Sequence, residues 1–199
     1  MVDEMFGKRL YFERVRKRLT LRQLARKTGI SFSNINRIEQ GLVKPKKASV
    51  LKLMQVLKLN YRNNALAEKV MYDLILKLYH ALLFVNYDEA RKVSALLKAQ
   101  EKNYLASPLF IDYLLVSLIH AQHTRDKGFP VAELFEQCEI LASVMNQDQF
   151  EHFVMEKGLN LYINNENKKS LNFMLEHVES ITHEQVKAQC YYLIGGLYK

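Results

Sequence analysis

Apolar residues recur along this chain at helical spacing and seldom alternate, so the pattern predicts helices nearly throughout. A first helix is expected from about Met5 to Leu19, with Phe6, Leu10 and Val15 available to pack inward and Arg9, Arg14, Arg16, Lys17 and Arg18 interspersed. Thr20-Leu21-Arg22-Gln23 then reads as a capping box, in which the Thr20 hydroxyl accepts an orphan amide of the first turn and Gln23 reaches back to the cap. The helix it starts turns Leu21, Leu24 and Ala25 inward and stops at Thr28-Gly29, where glycine takes the left-handed conformation without a Cβ penalty. Ser31 caps a third helix whose buried stripe is Ile35 and Ile38, and Gly41 ends it as Gly29 ended the second.

Two helices of about eight to ten residues joined by a short turn containing glycine form a helix-turn-helix, whose second helix can enter a DNA major groove. With Ile35 and Ile38 turned inward, Ser33, Asn36, Arg37 and Gln40 point to the opposite side and Phe32 sits on the flank near the helix start. Arg37 can bridge O6 and N7 of guanine or hold a phosphate, Asn36 can pair with adenine, Ser33 can serve either, and Phe32 can touch a thymine methyl.

Residues Phe6 to Leu59 resemble the DNA-binding domain of the xenobiotic-response-element family, the class of phage Cro and lambda repressor. Leu24-Ala25, Gly29-Ile30-Ser31, Ile35, Ile38-Glu39, Gly41, Pro45 and Leu53 to Leu57 fall in register. The resemblance implies a five-helix repressor-type domain and puts Phe32, Ser33, Asn36, Arg37 and Gln40 on its reading face. It also implies that Lys44, Lys46 and Lys47 grip phosphate, adding affinity without choosing sequence. The family often pairs a first-helix arginine with the glutamate that here is Glu39. Arg14 would fill that role and could touch DNA as well. Where the family commonly carries glutamine or another polar residue early in the second helix, this chain has Leu21, so the usual amide contact is not expected.

Charge sharpens the division. Residues 1–64 hold 16 Lys and Arg against 4 Asp and Glu, whereas residues 65–199 hold 13 against 17. A basic unit followed by a mildly acidic one predicts a DNA-binding domain over 1–64 and a second helical domain over 65–199. Only seven glycines and three prolines occur in the 199 residues, too little turn chemistry for a sandwich or barrel, so the fold class expected is all-α. The start lacks the basic and apolar regions of an export signal, and no apolar stretch approaches the roughly 20 residues a bilayer requires. A cytoplasmic protein with no membrane partner is expected. Cys138 and Cys190 lie in apolar segments without metal-ligand spacing and read as buried thiols.

Beyond the connector at 60–64, aromatic-led segments recur. Tyr191-x-x-Ile194-Gly195-x-x-Tyr198 fits the opening of a tetratricopeptide repeat, and segments led by Tyr72, Tyr113 and Val154 fit in part, at spacings of 41, 41 and 37. These predict a degenerate array of helical hairpins whose second helices begin near Tyr87, Pro130 and Asn167. The chain ends after the fourth first-type helix, which either caps the array or belongs to a longer one. A repressor-class domain joined to such repeats resembles the bacterial peptide-pheromone regulators, the Rgg, PlcR and PrgX (RRNPP) group. That resemblance implies a homodimeric transcription factor whose helical domain takes up a short signalling peptide.

The repeat register turns inward Val70, Asp73, Lys77 and His80, then Ile111, Leu114, Leu118 and Ala121, then His152, Met155, Leu159 and Tyr162, then Gln189, Tyr192, Gly196 and Lys199. Of these, Asp73, Lys77, His152, Tyr162 and Tyr192 are the candidate contacts to a peptide or other effector. Catalytic motifs are absent: there is no phosphate loop, nucleophile elbow or HExxH. His120 and His123 share a helix face but lack a carboxylate or cysteine in ligand register, so they read as a polar helix end, and neither metal nor cofactor is expected. The sequence therefore predicts a non-enzymatic, sequence-specific regulator of a double-stranded operator. The alternative is an antitoxin or phage-type repressor whose helical domain binds a protein partner.

Overall fold

The computed structural model describes residues 4–126 and 128–198, and among these it is all-helical, with no strand. The first unit contains α1 (Glu4–Arg16), α2 (Leu21–Thr28), α3 (Phe32–Glu39) and α4 (Lys47–Leu57), four helices where five were expected, because the next helix turns Met71 and Ile75 into the C-terminal core. The first of these ends earlier than its pattern predicts. Arg18 adopts φ 53° and the Leu19 amide donates to the Arg14 carbonyl at 3.0 Å, a left-handed closure that stops the helix. The capping box is present in full: Gln23 N–H donates to the Thr20 hydroxyl at 3.1 Å, and Thr20 N–H donates to Gln23 Oε1 at 2.8 Å. Gly29 and Gly41 sit at φ 68° and 72°, so both turns of the motif use the glycine the sequence provides. Phe6, Leu10, Leu24, Ile35, Ile38, Leu53 and Leu57 close over one another as this unit's core.

The remaining helices are α5 (Ala65–Leu83), α6 (Tyr87–Ala99), α7 (Glu101–Leu105), α8 (Phe110–Thr124), α9 (Val131–Leu141), α10 (Gln147–Ile163), α11 (Asn167–His177) and α12 (Glu184–Leu197). Successive pairs pack together, α5 on α6, α8 on α9 and α10 on α11, while α5, α8, α10 and α12 stack in turn. Each second helix starts where the pattern places it. Helix α8 is the central element, with all but three of its fifteen residues buried. The short α7 is absent from the sequence reading. It exists because Tyr104 stacks on Tyr113, centroids 5.0 Å apart, and donates its hydroxyl to the Met71 carbonyl at 3.0 Å. Among the described residues no helix is long and apolar enough to cross a membrane.

A second buried face of α1 binds the two units together. Phe12 enters the core of the C-terminal helices and meets Phe110, centroids 6.1 Å apart. Arg9 and Glu13, also buried, pair at 2.7 Å beside it, and α1 packs against α9. Val15, expected inward, is only half-buried. The connector is tied down as well: the Arg62 amide donates to the Ala106 carbonyl at 2.6 Å.

Candidate nucleic-acid interface

Helix α3 is held from behind. Its Ile35 and Ile38 are sunk in the core, and Glu39 accepts two hydrogen bonds from the Arg14 guanidinium, Nε to Oε1 and Nη2 to Oε2, each 2.7 Å. Arg14 Nη1 donates to the Leu19 carbonyl at 2.9 Å, so the guanidinium clamps α3 to α1 and to the chain entering α2. Its side chain is only 11 % exposed, which fits positioning of α3 better than contact with a phosphate.

In front, the candidate reading residues divide into two groups. Phe32, Ser33 and Arg37 are exposed to open solvent. Asn36 and Gln40, by contrast, line a cleft of about 460 Å³ whose far wall is Ser143 and Val144 of a 3₁₀ turn at Ala142–Val144 that follows α9, with Met145 after it. Lys44, Lys46 and Lys47 are exposed in the segment that leads into α4. Arg22, Arg26 and Lys27 of α2 are exposed too, extending the basic surface beyond the residues the sequence reading singled out. Leu21 is partly buried against the first core, which accounts for an apolar residue where an amide is common.

This is the geometry a DNA-reading helix needs, a rigid second helix with polar and basic side chains presented on one exposed edge. Residues 10–70 match the helix-turn-helix family model. The match supports a DNA-binding transcription regulator of the xenobiotic-response-element type, a class that is typically non-enzymatic. No curated protein and no solved structure matches the chain.

The C-terminal helices enclose a cavity of about 340 Å³ between α5, α8, α10 and α12. Of the five effector candidates, His152 alone lines it. Lys77 pairs with Glu89 at 2.8 Å across α5 and α6, Asp73 is exposed, Tyr162 stands at the end of α10, and Tyr192 is 88 % exposed. The other positions of that register divide likewise. Ile111, Leu114, Leu118 and Ala121 are core, because α8 is covered on nearly all sides, whereas His80, Met155 and Gln189 do line the cavity. Lys199 lies outside the described residues.

The walls instead carry Tyr72, Tyr79 and Tyr87, with Asp112, Asp148 and Glu156, and among the described residues no Lys or Arg. Burial raises Asp112 above the usual carboxylate range, although Gln149 donates to it at 2.8 Å. His120 and His123 are not a polar helix end. His120 is fully buried and pairs with Asp126 at 3.3 Å, and burial lowers its pKa. His123 pairs with the buried Glu156 at 3.1 Å, which raises its own. The carboxylates that sequence spacing failed to supply come from a loop and from α10. Cys138 and Cys190 are free and fully buried, as the apolar context predicts.

At the cavity rim Asp148, His152 and His183 converge, a cluster the sequence reading missed. Asp148 and His152 sit four apart on α10, the one local signal, but His183 arrives from 31 residues further on. It is placed by Glu151. That buried carboxylate accepts from Thr182 N, Thr182 Oγ1 and His183 N, each at 2.8 Å, and from Gln147. Burial alone would raise the Glu151 pKa, but these donors outweigh it and bring it from 4.5 to about 2. Its folded pKa lies below the unfolded one, so its stabilisation is complete above about pH 4.5 and is lost as pH falls toward 2. Glu151→Gln should therefore lower stability at pH 7 by an amount that shrinks over this window in urea unfolding. A pH-independent difference would show that the carboxylate is not held this way.

Proposed function

We propose that this protein is a dimeric, sequence-specific transcriptional regulator, with residues 1–64 reading a two-fold operator and residues 65–199 dimerising and taking up a short peptide or other small effector. The observation that carries the DNA half is α3, clamped from behind by Arg14 and Glu39 while Phe32, Ser33 and Arg37 stand open to solvent between two groups of exposed basic residues. In this reading Phe32, Ser33 and Arg37 meet base edges, and Asn36 and Gln40 meet the DNA at the cleft border. Lys44, Lys46 and Lys47 neutralise phosphates, and Arg14 positions the helix. A single short recognition helix covers few bases, so a dimer is expected, with half-sites about 34 Å apart.

The effector half is favoured by a cavity with aromatic walls and the carboxylates of Asp112, Asp148 and Glu156, the last paired with His123, with no Lys or Arg among its described lining residues. Such walls suit a ligand with a cationic group, such as a peptide amino terminus or basic side chain. A route to the DNA-reading unit runs through α10, which begins two residues after Met145 of the cleft beside Asn36 and Gln40.

The test is selection on random DNA with the intact protein, followed by affinity against salt. Arg37→Ala should change the preferred base at one position in each half-site and cost about 1–3 kcal/mol on the selected site. Lys46→Ala should weaken all sequences alike and lower the salt slope by about one. Selection that returns no enriched site overturns the regulator reading.

A further inference from the structure

We propose that Asp148, His152 and His183 bind a divalent transition-metal ion of the zinc class, joining α10 to α12 at the rim of the cavity. The proposal does not depend on an effector entering the cavity. The three ligand atoms lie within 4.8 Å of one another. A tetrahedral ion with bonds of about 2.0–2.1 Å sets its donors about 3.3 Å apart, so closure takes side-chain rotation and no movement of the helices. Asp148, 70 % exposed, can make that rotation.

The surroundings prepare His152 and hold the His183 ring only weakly. The Asp148 carbonyl can only accept, so the 2.9 Å contact makes His152 Nδ1 the donor and leaves the lone pair on Nε2 for a metal, toward which the Asp148 carboxylate, now 3.7 Å from Nδ1, must turn. An imidazole whose second nitrogen donates to a carbonyl is the arrangement usual for metal-ligating histidine. The His183 ring meets the Val186 amide only at 3.5 Å, a weak cap that yields little resistance to turning toward an ion. Its backbone is fixed by the Glu151 clamp, and the rings of His152 and His183 already lie edge to face with centroids 5.0 Å apart. Among the described residues of the cavity lining no Lys or Arg competes for the carboxylate. Two imidazoles with one carboxylate suit zinc, cobalt, nickel or copper better than magnesium or calcium. Three protein donors leave a fourth position for water or a ligand atom.

The experiment uses the full chain stripped with a chelator and titrated calorimetrically with Zn2+, and with Co2+ followed by visible absorption. The expected result is one equivalent bound with a Kd of about a micromolar or tighter, a raised Tm in excess Zn2+, and d–d bands typical of low-coordinate cobalt. His183→Ala and Asp148→Asn should each weaken binding at least tenfold, and His152→Ala should abolish it. Because His152 also packs on Tyr79, the exposed Asp148→Asn keeps the test independent of folding. His177→Gln, on α11 away from the cluster, should bind as the parent does. Failure to bind stoichiometrically, or unchanged affinity in both His183→Ala and Asp148→Asn, overturns the proposal. Neither outcome bears on DNA selection by α3.

Discussion

Gly7→Ala should destabilise the protein by about 1–3 kcal/mol and lower operator affinity in step, because it pushes the recognition helix off its seat. Gly7 lies where α1 crosses the end of α3, and a Cβ there would stand 2.2 Å from the Ile38 carbonyl oxygen and 3.2 Å from that of Glu39. Both neighbours are backbone, so no rotamer change relieves the clash. One of the two helices must move. Movement of α3 also opens the bidentate Arg14–Glu39 pair, which depends on both oxygens staying 2.7 Å from the guanidinium. Gly195→Ala supplies the contrast. An added methyl in α12 meets nothing within 4 Å, so it should be neutral or stabilising by about 0.5–1 kcal/mol through helix propensity. Urea unfolding and operator titration on the two variants give the comparison. A Gly7→Ala protein as stable as its parent would mean that α1 and α3 do not approach this closely.

What the sequence made legible was local. Thr20 with Gln23, Ser31, Gly29 and Gly41 satisfy orphan backbone groups within three or four residues of themselves, so they announce the helix-turn-helix without help from the rest of the chain. Ile35 and Ile38 fix the rotation of α3, and the exposed set follows from 100° per residue. The Arg14–Glu39 pair was reached through resemblance, since 25 residues separate its members. Long-range closure was not legible. Arg9 reads as one more exposed cation until Phe110, about a hundred residues later, covers it. The cavity positions were misplaced because the repeat register assumes open inner faces, whereas α8 is covered on nearly every side and its inner residues become core. His183 carries no motif linking it to His152. Only the clamp from Glu151, buried three residues after Asp148, brings them together.

The largest loss of stability is expected from Glu13→Ala. Arg9 and Glu13 are 7 % and 4 % exposed, and Arg9 Nη2 donates to Glu13 Oε1 at 2.7 Å where α1 meets the C-terminal helices. The guanidinium also lies over the rings of Phe12 and Phe110, at 5.3 and 5.2 Å from their centroids, while its Nε and Nη1 are buried without a hydrogen-bond partner among the described residues. Burial lowers the Arg9 pKa and Glu13 opposes that effect, so the carboxylate is what keeps the buried charge tolerable. Its removal leaves a guanidinium in an apolar junction with no counter-charge, at a cost of about 3–5 kcal/mol. Glu13 also accepts from Arg16 at 2.8 Å, but that partner is half exposed and adds little. Replacing both members, as Arg9→Met with Glu13→Gln, removes the charge along with its partner and should cost far less than Glu13→Ala alone. Because the pair sits at the junction, Glu13→Ala should also uncouple the two units, turning one urea transition into two, with the helix-turn-helix unit and the C-terminal helices melting separately. A Glu13→Ala protein that loses under about 1 kcal/mol, or a double variant no better than the single, would show that this ion pair does not hold the junction.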